Sequence, residues 1–107
     1  MKQDIQSHQF TDSNGNPAGG HTFAPGLCIA WQNGPLGRGA SRAEPNGCFV
    51  ETVIDAAADR LRFYERSRFQ CKENAEALHH LEQALSWLNQ RTARREAANV
   101  EGTHAGT

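Results

Sequence analysis

One tryptophan, one arginine and three glycines lie close together in the segment WQNGPLGRG, residues 31–39. A glycine-rich backbone can approach a ligand closely, Arg38 could hold an anion through a bidentate contact, and Trp31 could stack on a flat ring. The segment lacks the GxxxxGK[ST] pattern of phosphate loops in nucleotide hydrolases, and its proline removes one amide donor. Anion contact by Arg38 and the loop amides therefore stays open beside the alternative of a plain turn.

A second concentration of arginine lies near the C-terminus, at Arg91, Arg94 and Arg95. Cations are favoured near the C-terminus of a helix, which explains one or two of these residues. All three precede the segment VEGTH, residues 100–104, which offers backbone amides, a hydroxyl and an imidazole. Arginines beside such a segment could form a phosphate pocket, above all where subunits meet, although the segment on its own is typical of a frayed end.

Tyr64 and Asn74 lie on either side of a predicted turn between two helices. The Asn74 amide carries both a donor and an acceptor, so it either caps backbone groups or reads a purine edge. An aromatic ring, an amide and several arginines could together hold a phosphorylated purine without reacting with it.

The sequence favours neither metal binding nor catalysis. His79 and His80 are neighbours on a predicted helix, where successive side chains diverge by about 100°, so they cannot chelate one ion. The three cysteines, Cys28, Cys48 and Cys71, lack CxxC spacing and are expected to be reduced and mostly buried thiols. Nothing orients a Cys–His nucleophile, and we expect a protein that is not an enzyme and has no metal or cofactor.

The elements that must position these residues change character along the 107-residue chain, which is expected to form a single domain. All four prolines and eight of the ten glycines precede residue 48, which excludes long helices there. We predict short strands around Ile5–Phe10 and Leu27–Gln32, with a hairpin turn at Asn14–Gly15. Residues 1–45 should therefore form a small β-strand and loop region.

Residues 46–99 are predicted to form an antiparallel hairpin of two helices, followed by a tail over 100–107. Ser67 to Gln70 match a capping box for the second helix, which should run to about Ala98. The apolar stripe predicted for the first helix is Val50, Val53, Ile54, Ala57, Leu61 and Tyr64. The stripe predicted for the second helix is Cys71, Ala75, Leu78, Leu81, Leu85, Leu88 and Thr92. The expected fold class is α+β.

A further stripe on the second helix lies outside this leucine seam, at His80, Ala84, Trp87 and Arg91. It indicates a homo-oligomer, because a two-helix hairpin cannot bury two faces against itself. The net charge of −1 argues against binding of polymeric nucleic acid. No apolar run reaches the roughly 18 residues of a membrane span, and no signal peptide is recognisable at the start, so a cytoplasmic protein is expected.

In the order in which they occur, the segments WQNGPLGRG, EPNG, CKENAEAL and VEGTH resemble the phage proteins that share the anti-CBASS/anti-Thoeris hairpin domain. The resemblance covers about residues 26–104 and is closer to the anti-Thoeris branch. It implies a non-enzymatic sponge in the cytoplasm of a host bacterium. Such a sponge sequesters cyclic ADP-ribose isomers, and in some members cyclic di- or trinucleotides, as a dimer or as a hexamer built from three dimers.

Carried onto this sequence, the resemblance implies two sets of site residues. The expected signal-nucleotide pocket contains Trp31, Arg38, Tyr64, Asn74 and Arg91. A second, phosphate-rich site is expected where C-terminal tails converge, with Arg94, Arg95, Gly102, Thr103 and His104. Two alternatives stay open, a phosphodiesterase that destroys the same signals and a structural oligomeric phage protein.

Overall fold

A computed structural model of the chain describes residues 1–98 and 101–104. The chain divides into two compact units, one of Met1–Phe49 with residues 101–104 and one of Val50–Ala98. The first unit contains three strands and the second contains two helices. The expected α+β fold class, with strands preceding a helix hairpin, is confirmed.

The first unit is built on a three-stranded antiparallel sheet of β1 (Gln6–Thr11), β2 (Pro17–Ala24) and β3 (Leu27–Trp31) in sequence order. The two predicted strands are present, but β2 was not predicted. Its sequence PAGGHTFA begins with proline and carries two glycines, which are depleted in strands. Glycine is required at Gly20 because a Cβ atom there would collide with the carbonyl oxygen of His8 on β1.

The predicted turn between β1 and β2 is confirmed. The Asp12 Oδ1 atom accepts hydrogen bonds from the backbone N–H groups of Asn14 at 2.9 Å and Asn16 at 3.0 Å. Gly15 takes the left-handed conformation, with φ of 79°, which glycine adopts without steric cost. This Asx-type arrangement sets the direction in which the chain enters β2.

A hydrogen-bonded threonine lies at the centre of one face of the sheet. Thr22 is buried, and its Oγ1 atom lies 2.9 Å from Ser7 Oγ on β1 and accepts a hydrogen bond of 2.9 Å from Trp31 Nε1 on β3. Ile29, which pairs with Thr22 across β2 and β3, is also buried. The three strands are thus tied together by polar contacts beside a very small apolar centre.

The segment after β3 turns back alongside that strand before the first helix begins. Cys48 donates its backbone N–H to Ala30 O at 2.7 Å and accepts from Gln32 N at 3.0 Å. The glycine loop, which we define as residues 34–42, lies between these two contacts and contains the short 3-10 helix Gly39–Ser41. Its ends are therefore anchored to the edge of the sheet.

The second unit is a hairpin of α1 (Val50–Glu65) and α2 (Lys72–Ala97). The helices are antiparallel, since Arg62 near the end of α1 lies 3.8 Å from the Glu82 carboxylate in the first half of α2. The predicted capping box is wrong. Ser67 Oγ donates to Tyr64 O at 2.6 Å and accepts from Phe69 N at 3.0 Å, so it stabilises the connecting turn. Cys71 caps α2 instead, with its Sγ accepting from Asn74 N.

The leucine seam of α2 is confirmed, with one change at its start. Leu78, Leu81, Leu85, Leu88 and Thr92 are half-buried. Cys71 and Ala75 were assigned to the same face but are exposed, because the seam continues at Asn74 toward the start of the helix.

On α1 the predicted apolar stripe is confirmed at four of its six positions. Ala58 is fully buried, whereas Ala57 and Val50, which were assigned to the stripe, are exposed. Val53, Ile54, Leu61 and Tyr64 are half-buried, as expected.

The cysteines differ from the expectation that they would be mostly buried. Cys28 and Cys71 are exposed and Cys48 is half-buried, and all three are free thiols. Cys28 pairs with Phe23, which is itself exposed, and Cys71 lies at the start of α2. Their positions at a sheet surface and a helix cap explain the exposure.

The apolar core is small. Among the described residues no large side chain is fully buried, and the buried apolar residues are Ile29 and Ala58. Large hydrophobic side chains are exposed in both units; they are Met1, Ile5, Phe10, Phe23, Leu27, Val50, Phe63, Phe69 and Trp87. Within the described part of the chain, neither helix combines the length and apolar character needed to cross a membrane.

Candidate ligand-binding site

An open pocket of about 390 Å³ lies on the C-terminal half of α2, where it is lined by Trp87, Gln90, Arg91 and Arg94. These residues are spaced i, i+3, i+4 and i+7, so the helix places them on one face. The indole of Trp87 is 71% exposed, which is unusual for so large an apolar side chain. Packing of α1 against α2 therefore does not account for a tryptophan on this exposed face.

The chemistry of this pocket suits a phosphorylated aromatic ligand. The indole is a flat surface for stacking, and the Gln90 amide offers both a donor and an acceptor. Arg91 and Arg94 carry planar guanidinium groups that match phosphate oxygens. Within residues 1–98 and 101–104, neither arginine makes a salt bridge or a side-chain hydrogen bond.

The second unit also has a pocket of about 400 Å³ with a different character. Glu51, Thr52 and Asp55 of α1 line it together with Leu85 and Asn89 of α2. Two carboxylates among five lining residues disfavour an anion there. The α2 pocket is therefore the better candidate for a phosphate-bearing ligand.

The glycine loop holds its arginines differently. Arg42 donates from Nη1 to Glu101 Oε2 at 2.7 Å and from Nη2 to Glu101 Oε1 at 2.9 Å, a bidentate ion pair. Arg38 donates from Nη1 to Glu101 O at 2.9 Å, and Gly37 donates its N–H to Gly102 O at 2.7 Å. We call this set of contacts among Gly37, Arg38, Arg42, Glu101 and Gly102 the tail latch.

The predicted signal-nucleotide residues Trp31 and Arg38 are both engaged within the first unit. The indole N–H of Trp31 is used by Thr22 Oγ1, and the residue is half-buried at the end of β3. Arg38 belongs to the tail latch. Their binding roles stay predictions.

Tyr64 and Asn74, also predicted for that pocket, lie at the turn end of the helix hairpin. The Arg60 guanidinium lies 5.0 Å from the centroid of the Tyr64 ring, and its Nε donates to the phenol oxygen at 3.2 Å. The Asn74 side chain donates from Nδ2 to Phe69 O at 3.3 Å, which stabilises the turn. The capping alternative for Asn74 is thus observed, and its role at a purine edge stays a prediction.

Asn74 and Arg91 cannot line one pocket within a single chain. They are separated by 17 residues of the continuous helix α2, which at 1.5 Å per residue is about 25 Å. A signal nucleotide that contacts both residues would have to bring together different copies of the chain.

The residues predicted for the second site fall into both units. Arg94 lines the α2 pocket beside Arg91, although the two were assigned to different sites. Arg95 is buried. Gly102 belongs to the tail latch, Thr103 is half-buried and His104 is exposed. Their joint role at a phosphate stays a prediction.

Sequence reasoning missed four residues that the structure singles out. Trp87 was predicted to share a stripe with Arg91 but was assigned to subunit contact, and its i, i+7 spacing to Arg94 also places that arginine on the same face. Gln90 could have been found in the same way. Arg42 and Glu101 are 59 residues apart, so no local pattern marks their ion pair.

Metal ligation finds no geometric support in the described residues, where no group of three or more His, Cys, Asp and Glu side chains could hold an ion. His79 and His80 have ring centroids 5.6 Å apart, and His80 Nδ1 lies 3.0 Å from Gln83 Oε1. The part of the chain that the structure describes thus offers aromatic, amide and guanidinium groups rather than metal ligands.

The fold and pocket define a small α+β protein whose helix hairpin exposes aromatic, amide and guanidinium groups on one face of α2. The Acb2/Tad1 hairpin domain matches residues 29–93, which is more than half of the chain. Thoeris anti-defense 1 of Bacillus phage SBSphiJ7 is 39% identical over 102 residues, covering 94% of this chain and 69% of that relative. The chain belongs to the Acb2/Tad1 hairpin domain family, which confirms the resemblance drawn from its motifs.

Proposed function

We propose that the protein is a phage anti-defence sponge that binds cyclic immune signalling nucleotides and holds them without breaking their bonds. The ligand class is cyclic ADP-ribose isomers, with cyclic di- and trinucleotides as the wider range. Sequestration would block Thoeris or CBASS immunity in the host cytoplasm. The relationship to an anti-defence protein supports the biological role. The observation that carries the binding role is the exposed indole and the two arginines in the α2 pocket.

The energetics favour a pocket that more than one chain completes. Trapping a dilute signal requires a dissociation constant near nanomolar, which is about −12 kcal/mol. Two arginine–phosphate contacts at about 1.5–3 kcal/mol each and one stacked base at about 1–3 kcal/mol supply roughly 4–9 kcal/mol. The remaining contacts must come from elsewhere, for which Trp31, Arg38, Tyr64 and Asn74 of the same or another copy are the candidates.

We propose that the pocket is completed in a homo-oligomer, either a dimer or a hexamer of three dimers. The exposed apolar side chains of both units need a partner, and the separation of Asn74 from Arg91 needs a second chain if both contact one ligand. A second ligand site, with Arg94, Arg95, Gly102, Thr103 and His104, would form where the tails of several copies converge. Native mass spectrometry of the purified chain, alone and with a cyclic nucleotide, measures both the copy number and the number of ligands bound.

The decisive experiment is calorimetry against a panel of cyclic ADP-ribose isomers and cyclic di- and trinucleotides. We expect one class to bind tightly and the Arg91→Ala variant to lose that binding while keeping the oligomer. The matched control is Arg66→Ala, which removes an exposed arginine at the hairpin turn, away from the α2 pocket. Equal affinity of the Arg91→Ala and Arg66→Ala variants would remove Arg91 from the site.

Recovery of the ligand separates a sponge from an enzyme. After incubation and heat denaturation, a sponge releases the cyclic nucleotide unchanged, whereas a phosphodiesterase leaves a linear product. A thermal-shift panel separates a sponge from a structural protein, because a ligand that binds the folded state raises its melting temperature. Absence of any shift across the panel would contradict the proposal.

A further inference from the structure

The tail latch places the Glu101 carboxylate beside two arginines of the glycine loop. Both Glu101 oxygens accept hydrogen bonds from Arg42, and Oε2 also lies 4.0 Å from Arg38 Nη1. The arginine side chains remain about 40% exposed, at 40% for Arg38 and 41% for Arg42, whereas the Glu101 side chain is 21% exposed. Arg42 therefore holds the carboxylate directly, Arg38 lies beside it while donating to the Glu101 backbone carbonyl, and both guanidinium-bearing side chains remain accessible to a solute.

We infer that Arg38 and Arg42 form a binding site for phosphate or diphosphate groups, which the Glu101 carboxylate of the same chain occupies and which a ligand enters by displacing it. Guanidinium groups present a fork of donors that fits carboxylate and phosphate alike. A site in which Arg42 binds the Glu101 carboxylate is therefore also suited to a phosphate group. The inference rests on the proposed function in one respect, since Arg38 is a proposed ligand residue. It adds Arg42 as a contact and Glu101 as an internal competitor.

Two glycines show that the backbone is shaped for this contact. A Cβ atom at Gly102 would collide with Gly37 O and lie 3.1 Å from Arg42 Nη1. Gly37 has φ of 85°, and a Cβ atom there would lie 3.0 Å from Ser41 O. Glycine at 102 allows the tail to lie against the loop, which brings the Glu101 carboxylate to the arginines, and glycine at 37 allows the loop to take its own tight conformation.

The affinity of the site for a free anion is reduced by this competition. A carboxylate tethered to its own binding site acts at an effective concentration in the millimolar range or above. A free phosphate group must therefore outcompete it, and a ligand with several charged groups does so more readily than a single carboxylate. The expected consequence is weak binding of simple anions until the Glu101 charge is removed.

The test is calorimetry with inorganic pyrophosphate on the full chain. We expect Glu101→Gln to bind pyrophosphate about tenfold or more tightly than the unmodified protein. The matched control is Glu44→Gln, which removes the same charge from an exposed position in the same unit outside the tail latch and should leave the affinity unchanged. Adding Arg42→Ala to Glu101→Gln should abolish the gain.

A second variant opens the latch without removing a charge. Gly102→Ala introduces the collision with Gly37 O and should also increase pyrophosphate affinity, so the inference stays testable if Glu101→Gln fails to fold. Equal affinity in the unmodified protein and in the folded variants would overturn the inference and leave the latch as a structural contact only. A gain that persists in the double variant would overturn it too.

The two proposals fail separately. If the protein binds a cyclic nucleotide but Glu101→Gln does not gain pyrophosphate affinity, the inference about the tail latch is wrong and the sponge function stands. If the pyrophosphate result is as expected but no cyclic nucleotide binds, the sponge function is wrong and the anion site stands.

Discussion

Two arginine pairs of similar spacing differ in what surrounds them. Arg38 and Arg42 are four residues apart in the glycine loop and both contact Glu101, Arg38 at the backbone carbonyl and Arg42 at the carboxylate. Arg91 and Arg94 are three residues apart on α2, and in the described part of the chain no carboxylate lies within ion-pair distance of either. The first pair has partners within its own unit, and the second has no ion-pair partner among the described residues.

The difference follows from the elements that carry the two pairs. In the loop, Gly37 hydrogen bonds to Gly102 of the tail, and the absence of a Cβ atom at Gly102 permits this approach, so a tail carboxylate can reach the guanidinium groups. On a helix the side chains at i and i+3 project from one face, and their partners come from positions three or four residues away, from a neighbouring element or from another molecule. The other residues that line this pocket are Trp87 and Gln90, and neither is acidic. The pocket therefore contains no carboxylate to pair with Arg91 or Arg94. We therefore propose that Arg91 and Arg94 make the main ligand contacts and that Arg38 and Arg42 bind an anion only after it displaces Glu101.

The largest expected effect is from removal of the α2 pair. In the double variant Arg91→Ala/Arg94→Ala, affinity for the best cyclic nucleotide should fall by a factor of about 100 or more, since each charge-assisted contact contributes about 1.5–3 kcal/mol. The melting temperature should change little, because neither guanidinium has a partner in the described residues. Calorimetry and thermal unfolding measure the two quantities. A retained affinity would reverse the ranking of the two pairs.

The next effect concerns the aromatic ring of the α2 pocket. Trp87→Ala should reduce nucleotide affinity by a factor of about 5–150, which corresponds to the loss of about 1–3 kcal/mol of stacking. Trp87→Phe should retain most of the affinity because it keeps a stacking face. Ligand titration by calorimetry, with native mass spectrometry of the same samples, separates loss of stacking from loss of subunit contact. Equal losses in both variants, with an intact oligomer, would exclude a stacking role.

Features encoded by neighbouring residues could be predicted from the sequence. The Asn14–Gly15 turn and the leucine seam of α2 follow from local turn chemistry and helical periodicity. The strand β2 could not be predicted, because its glycines favour a turn and the strand exists only through its pairing with β1 and β3. In the same way Ser67 to Gln70 matched a capping pattern, yet the hydroxyl was used by the turn that precedes the helix.

The candidate site residues also divide into those set by neighbouring positions and those set by distant segments. Arg91 and Arg94 were found from their types and spacing, because a helix converts spacing into proximity. The partner of Arg38 and Arg42 was not found, since an ion pair across 59 residues depends on the path of the tail. From the sequence, the VEGTH segment was expected to supply donors for a phosphate beside Arg91, Arg94 and Arg95. In the structure its glutamate contacts Arg38 and Arg42 of the glycine loop instead.

A smaller effect tests the strength of the tail latch. Its ion pair is partly exposed, and such pairs contribute about 0–1 kcal/mol to stability. Arg42→Ala should therefore lower the free energy of unfolding by at most about 1 kcal/mol, and the difference should shrink as salt is raised. Urea unfolding at low and high ionic strength measures this. A larger loss that is independent of salt would mean that the latch is chiefly a structural element, which contradicts a gate that a ligand can open.

The smallest effect concerns Asp12, whose carboxylate accepts hydrogen bonds from backbone amides and not from arginine side chains. Hydrogen bonds from the backbone N–H groups of Asn16 and then Asn14 hold the pKa of Asp12 below its ordinary value of 3.8, with a lesser contribution from the charge of His104. Because the folded-state pKa is depressed, the carboxylate stabilises the folded chain fully above the unfolded-state pKa, and this contribution is lost as the pH falls through the folded-state value.

Asp12→Asn should therefore be slightly less stable than the unmodified protein at neutral pH, and the difference should disappear below the folded-state pKa of Asp12. Urea unfolding of both proteins across this pH range measures the difference, and the Glu44→Gln variant serves as a control for the general loss of a negative charge from the same unit. In contrast to the Arg42 ion pair, the amide contacts of Asp12 should depend little on salt. A stability difference that grows as the pH is lowered would contradict the amide-held carboxylate. The backbone hydrogen bonds would then not explain how Asp12 differs from the arginine-bound Glu101.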